Sequence, residues 1–135
     1  MDSRQIENEL KKYSNFKGCF PIDQLPKGFK RPYCFISNTN FHDEPGEHWI
    51  AIWIGKKSGY YFDSFGFPPL HHLHVNYMNE HCNEWYYSLR QIQDLKSRKC
   101  GQFFISFLKN IENGMPFNNF ISKFSANLMC NEKKV

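Results

Sequence analysis

No apolar run in this 135-residue chain approaches the roughly 20 residues that a membrane-spanning helix needs. No Cys-x-x-Cys pair occurs among its five cysteines (Cys19, Cys34, Cys82, Cys100 and Cys130), and their number is odd. Both facts argue against a secreted disulfide framework and against a four-cysteine zinc site. The opening residues, MDSRQIENELKK, lack the apolar stretch of a signal peptide. There is no internal repeat and no low-complexity tract. Charge of one sign is not in large excess either: 17 Lys and Arg against 13 Asp and Glu leave a net charge of +4. The cations are dispersed in short clusters at Lys11-Lys12, Lys27 to Arg31, Lys96 to Lys99 and Lys133-Lys134. Solvated surface lysines are the first reading of these clusters, and a weak, secondary DNA-binding surface is the second. The expectation is a soluble, intracellular monomer without membrane contact, in a reducing compartment where a free thiol survives.

What the chain does have is rings. Aromatics make up 18% of it, with 14 Phe, 7 Tyr and 3 Trp. Each well-buried ring contributes roughly 1.5–3 kcal/mol. A chain of this length hides about two-thirds of its unfolded surface, enough for one core without staples. Residues 1–135 therefore read as a single domain.

Spacing orders the elements. Ile6, Leu10 and Tyr13 recur at helical intervals over Ser3 to Tyr13. Residues 14–32 carry three prolines and two glycines and read as loop, with Phe16, Phe20, Leu25 and Phe29 as anchors. A strand follows at Tyr33–Ser37, then a polar loop to Glu47 with a Pro45-Gly46 turn. Trp49 to Ile54 is apolar throughout, as a central strand covered on both faces would be. Gly55 to Gly59 turns the chain into a second strand, Tyr60 to Asp63, giving a hairpin. A helix is expected over 70–80 and a third core strand over 84–91. Phe103, Phe104, Phe107, Leu108 and Ile111 form the buried stripe of a helix starting at or just after Cys100. Gly114 would cap it, and Pro116 would open a last helix with the stripe Phe117, Phe120, Ile121, Phe124 and Leu128. Segregated strands and helices argue for α+β: a small central mixed or antiparallel sheet flanked by helices.

The chemistry-bearing residues fall at the ends of these elements. Cys100 sits where a loop enters a helix. A helix N-terminus presents unpaired N–H groups and a partial positive charge, and both favour a thiolate over a thiol. Gly101 removes a side chain beside the sulfur, so a substrate backbone can approach. His48 precedes the first strand of the hairpin and Asp63 ends the second, which puts both toward one edge of the sheet. A carboxylate there can fix the imidazole tautomer and aim its other nitrogen at the thiol. Taken singly, each residue reads equally well as structural: a buried Cys, a loop His, a strand-end Asp.

Order and context say more. The sequence runs Gly46-Glu47-His48-Trp49, then Tyr61-Phe62-Asp63-Ser64-Phe65-Gly66, then Gln93-Asp94-Leu95-Lys96-Ser97-Arg98-Lys99-Cys100-Gly101-Gln102-Phe103. This resembles the adenain family of cysteine proteases, in the same clan as the SUMO-type ubiquitin-like-protein proteases. Their order is His, acid, Gln, Cys. The segment Phe16 to Pro26 is similar to the N-terminal segment of adenain-like proteases of Polinton-type elements and small DNA viruses. The similar stretches span residues 16–108. The resemblance implies a cysteine-proteinase, adenain-like fold and a Cys-His-Asp triad of Cys100, His48 and Asp63. It implies that Gln93, with Gln91 as a lower-ranked alternative, binds the oxyanion. Trp49 would wall a narrow channel favouring glycine before the cut. The implied substrates are viral or transposon-encoded structural precursors, cut during particle maturation, or a ubiquitin-like modifier. The implied site of action is a host nucleus or virion.

Two departures qualify the match. The acid is Asp63, where adenovirus enzymes carry Glu and the wider clan Asp. The chain is also shorter than adenovirus proteases. Activation by a viral peptide through a disulfide, or by DNA, therefore enters by resemblance alone, with Cys82 a loosely placed candidate for the bridge. No cofactor is otherwise expected. A rival constellation, His71, His72, His74 and His81-Cys82, has metal-ligand chemistry, but solvent-facing histidines after a Pro-Pro turn are the commoner case and no metal is expected. Nucleic-acid stacking and protein binding without catalysis are the non-enzymatic alternatives.

Overall fold

The computed structural model describes residues 2–39 and 48–135. The expected Pro45-Gly46 turn and the Gly46-Glu47 half of the histidine motif lie outside them. Helix α1 (Ser3–Leu10) starts in a capping box: Asp2 Oδ1 accepts from the Gln5 N–H at 2.9 Å, and Gln5 Oε1 accepts from the Asp2 N–H at 2.8 Å. Its Ile6 and Leu10, one turn apart, are both buried.

Five strands follow: β1 (Phe16–Phe20), β2 (Tyr33–Asn38), β3 (Trp49–Ile54), β4 (Gly59–Phe62) and, after helix α2 (His72–His81), β5 (Trp85–Tyr87). They form one sheet in chain order. The inner pairs β2–β3 and β3–β4 are antiparallel, and the outer pairs β1–β2 and β4–β5 are parallel. Helices α3 (Cys100–Glu112), α4 (Phe117–Ser122) and α5 (Leu128–Asn131) complete the fold with a short 3₁₀ turn. It is the expected mixed α+β arrangement.

The sheet separates two cores. Side chains alternate across a strand, so neighbouring residues serve opposite faces. On β3, Ile50, Ile52 and Ile54 join Tyr33, Phe35, Tyr61, Tyr77 and Met78 beneath α2. Ala51 faces the other way, with Phe62, under the rings of α3 and α4. Phe62 stacks on Phe107 at 4.7 Å between centroids and meets Phe104 and Phe120 edge-on. These contacts fix α3, and hence its first residue, Cys100, against the middle of the sheet.

Three expectations need correction. Residues 16–20, read as loop, form β1. Its propensity is weak and the positive φ of Gly18 breaks its register with β2, so pairing rather than local preference makes it a strand. The segment 84–91 is not a core strand: β5 has three residues at the sheet edge, with Tyr86 and Tyr87 exposed. The last helix is broken, because α4 stops at Ser122 and half-buried Leu128 begins a separate turn, α5.

Candidate active site

The hairpin register places the histidine. Asn38 pairs with Trp49 at the end of the β2–β3 ladder. One step further the Thr39 N–H and hydroxyl both donate to the His48 carbonyl, at 2.9 and 3.3 Å. The backbone of His48 is therefore held although its side chain lies beyond the strand. Across the hairpin, β4 ends at Phe62 and delivers Asp63 to the same edge. His48 Nε2 and Asp63 Oδ2 lie 3.0 Å apart. The other carboxylate oxygen, Oδ1, accepts from the Phe65 N–H at 2.8 Å, which orients the buried carboxylate.

With Nε2 turned to Asp63, Nδ1 is the imidazole nitrogen left for the sulfur. Cys100 stands close enough to the imidazole to act, with Asp63, on its protonation. Burial pulls the His48 pKa down, but the hydrogen bond to Asp63, its charge and the nearby Cys100 outweigh it, and the imidazole is raised to about 9. His48 is thus a cation at neutral pH. Phe65 stacks on its ring at 4.8 Å and 23°. The imidazole is held on two sides, by a carboxylate and by a phenyl face.

Cys100 is the first residue of α3, a helix of 13 residues whose N-cap, Lys99, makes no side-chain capping bond. The first-turn N–H groups therefore point, uncapped by that side chain, toward the end where the half-buried sulfur sits. Gly101 is buried in that first turn. Trp49 is half-buried and borders the same core cluster as Cys100, which puts both on one face of the sheet.

Gln93 is fully buried. Its Oε1 accepts from the Ser64 hydroxyl at 2.5 Å and its Nε2 donates to the Ser97 carbonyl at 3.2 Å. A backbone carbonyl only accepts, so the amide nitrogen must lie on the Ser97 side, toward the loop that leads to Cys100. The Ser64 carbonyl in turn accepts from the N–H groups of Ile92 and Gln93, both at 3.0 Å. Gln91, the alternative, uses its side-chain nitrogen on the Gln93 carbonyl at 2.9 Å.

Several residues that hold this arrangement were assigned no role from the sequence, although Ser64 to Gly66 stand in the motif that follows Phe62. Gly66 adopts φ +79°, and a Cβ there would come within 2.6 Å of the Gln91 nitrogen. Only glycine lets the turn after Asp63 lie flat on 90–91, and that contact brings Ser64 to Gln93. Arg90 ties the same segment to the end of α4, donating to the Ile121 carbonyl at 3.0 Å and to the Phe124 carbonyl. Buried Asn131 donates to the Ile92 carbonyl at 3.0 Å and to the Ser125 carbonyl at 2.8 Å. Asp63-Ser64-Phe65-Gly66 thus acts as one unit: two residues hold His48, one holds Gln93, and the glycine makes the approach possible.

The histidine-rich stretch resolves into separate structural tasks. His71 caps α2, its Nδ1 accepting from the Leu73 N–H at 3.0 Å. His81 Nδ1 lies 2.8 Å from the Tyr77 carbonyl. His74 is not solvent-facing: it is buried, 2.8 Å from the Ser37 hydroxyl, and burial, then the charge of His71, hold it down at about 4. Among the described residues no group of three or more His, Cys, Asp or Glu is arranged to hold a metal ion. Cys82 is buried and unbridged. Burial raises the Cys34 and Cys82 thiols, and burial with Glu7 pushes Cys19 up to about 12.

No family model matches the chain. It is 27% identical over 97 residues to a protein of Acanthamoeba polyphaga mimivirus that bears the name of a thiol protease. That match covers 64% of this chain and 32% of the mimivirus protein, so the chain spans about a third of its relative's length. Among solved structures, the crystal structure of the ASFV pS273R protease superposes with a TM-score of 0.61 at 18% identity, covering 96% of this chain and 63% of that one. At that identity the likeness is one of fold: a mixed five-stranded sheet between helices, with the architecture of that protease.

Proposed function

We propose that the chain is a cysteine endopeptidase with Cys100 as nucleophile, His48 as proton carrier, Asp63 as the group that orients it, and Gln93 as an oxyanion donor. One observation carries this reading: the His48 imidazole is bonded to Asp63 and stands near enough to Cys100, at the start of a long helix, for the two to interact. The name of the mimivirus relative supports it independently.

In this mechanism the sulfur attacks the scissile carbonyl carbon and the carbonyl electron pair moves onto oxygen. One Gln93 Nε2 hydrogen is already given to Ser97, and the second, with the Cys100 N–H, meets the developing oxyanion. His48 gives its proton to the leaving nitrogen as the C–N bond breaks, leaving a thioester. Water then attacks that thioester, His48 takes up the water's proton, and the thiolate departs.

The substrates we assign are precursor proteins encoded by a virus or transposon, cut after small residues such as glycine. The two similar proteins both come from viruses by name, which favours this over a ubiquitin-like modifier. The test sets the purified protein against a Gly-Gly reporter, a SUMO fusion and a capsid precursor. Cleavage that disappears in Cys100→Ser is the expected result. Undiminished cleavage by Cys100→Ser would refute the assignment.

A further inference from the structure

A cleft of about 500 Å³ opens beside the imidazole. His48, Asp63 and Phe65 form one wall, and Phe67, Leu70 and Leu95 stand around it, while Cys100 does not line it. Phe67 is 44%, Leu95 63% and Leu70 78% exposed, so three of the eight large exposed hydrophobics among the described residues gather at this one place. Clustered apolar surface of this kind marks a contact site, whereas scattered single residues do not. Among the described residues no lysine, arginine or acid other than Asp63 lines the cleft, and both oxygens of Asp63 are already engaged.

We infer that this cleft binds the segment of the substrate C-terminal to the scissile bond, and that it selects one or two large apolar side chains there. The inference rests on the peptidase reading above. Its direction follows from chemistry. The imidazole that protonates the leaving nitrogen must lie within hydrogen-bonding reach of it. The chain that departs with that nitrogen therefore leaves past His48, and the cleft adjoins His48 without including Cys100. Its volume is in the range of small-ligand pockets and exceeds one side chain. A charged residue placed there would lose its water among apolar side chains, and the His48 imidazole on the wall is already paired with Asp63. Selection on this side is distinct from any preference for glycine before the cut.

The experiment uses internally quenched peptides that share a Gly-Gly sequence before the cut and differ only in the two residues after it: Leu-Phe, Ser-Ser or Asp-Asp. The wild-type protein should cleave the Leu-Phe peptide with a kcat/KM about tenfold or more above the Ser-Ser peptide, and the Asp-Asp peptide more slowly still. In Leu70→Asp and in Leu95→Asp, both at exposed positions, the Leu-Phe to Ser-Ser ratio should fall toward one. A wild-type ratio within about twofold, with Cys100 labelled by a peptide electrophile, would overturn the pocket while leaving the peptidase intact. So would a ratio that survives both substitutions. Absence of both labelling and cleavage in the wild type would overturn the peptidase reading, and the pocket with it.

Discussion

The Ser64 hydroxyl donates to Gln93 Oε1 at 2.5 Å, joining the loop that carries Asp63 to the segment that leads into Cys100. The Ser97 carbonyl decides which end of the Gln93 amide is nitrogen, and this bond anchors the other end. Ser64 does not touch the reacting atoms in the mechanism proposed here, and it acts through Gln93.

Ser64→Ala should therefore lower kcat by about tenfold and leave KM within about twofold, since the amide loses one of its two anchors and not its presence. Gln93→Ala should cost more, about 10²–10³ in kcat, as the loss of an oxyanion donor does elsewhere. Steady-state kinetics on one peptide decides the order. Equal losses would mean that Ser64 does more than hold the amide.

The pH profile should report His48. With its pKa at about 9, the imidazolium needed for leaving-group protonation is present at neutral pH and is lost as pH rises through 9. The alkaline limb of kcat/KM should fall there. Asp63→Asn removes a negative charge that holds the proton on, so the limb should move to lower pH. A limb that stays at the same pH in Asp63→Asn would separate Asp63 from the titration.

Much of this site was legible because the residues sit at element ends whose elements are strongly patterned. The α3 stripe from Phe103 to Ile111 announces the helix that begins at Cys100, and the unbroken apolar run of β3 reflects burial on both faces. The hairpin then brings His48 and Asp63 to one edge. The roles of Ser64 and Phe65, which stand in the motif, and of Arg90 and Asn131, which do not, were not legible, because their partners lie far along the chain. β1 was missed because its five residues are only half-buried and interrupted by Gly18, so local pattern is absent and pairing with β2 decides. The aromatics of β5 misled for the opposite reason: Trp-Tyr-Tyr suits a core strand by composition, yet here it closes an edge.

Gly66→Ala should break the link between the two halves of the site. The backbone there has φ +79°, and the added methyl would meet the Gln91 nitrogen at 2.6 Å. A stability loss of roughly 1–3 kcal/mol is expected from the strained backbone. Activity per folded molecule should fall as well, because Ser64 can no longer reach Gln93. Chemical denaturation with active-site titration separates the two effects.

Acid should weaken the fold through His74. Its imidazole holds at about 4 in the folded chain against an ordinary 6.5. Between those values the unfolded chain takes up a proton that the folded chain refuses. Stability therefore falls as pH drops from 6.5 toward 4, and this contribution is absent above 6.5, where both states are neutral. His74→Gln keeps a polar side chain near Ser37 and removes the titration. Between pH 7.5 and 4.5 the wild type should lose about 2 kcal/mol more than this variant. Equal losses would place the acid sensitivity elsewhere.

The central claim is that the sulfur of Cys100 reacts because His48 stands beside it. Cys130 is the one exposed cysteine, so the measurement is best made in Cys130→Ser. The protein is treated at neutral pH with a Gly-Gly peptide electrophile, and the adduct is located by mass spectrometry with and without His48→Ala. The account predicts one adduct, on Cys100, formed at least about tenfold more slowly in His48→Ala. An adduct on Cys19, Cys34 or Cys82 instead, or a Cys100 rate unchanged by His48→Ala, would contradict it.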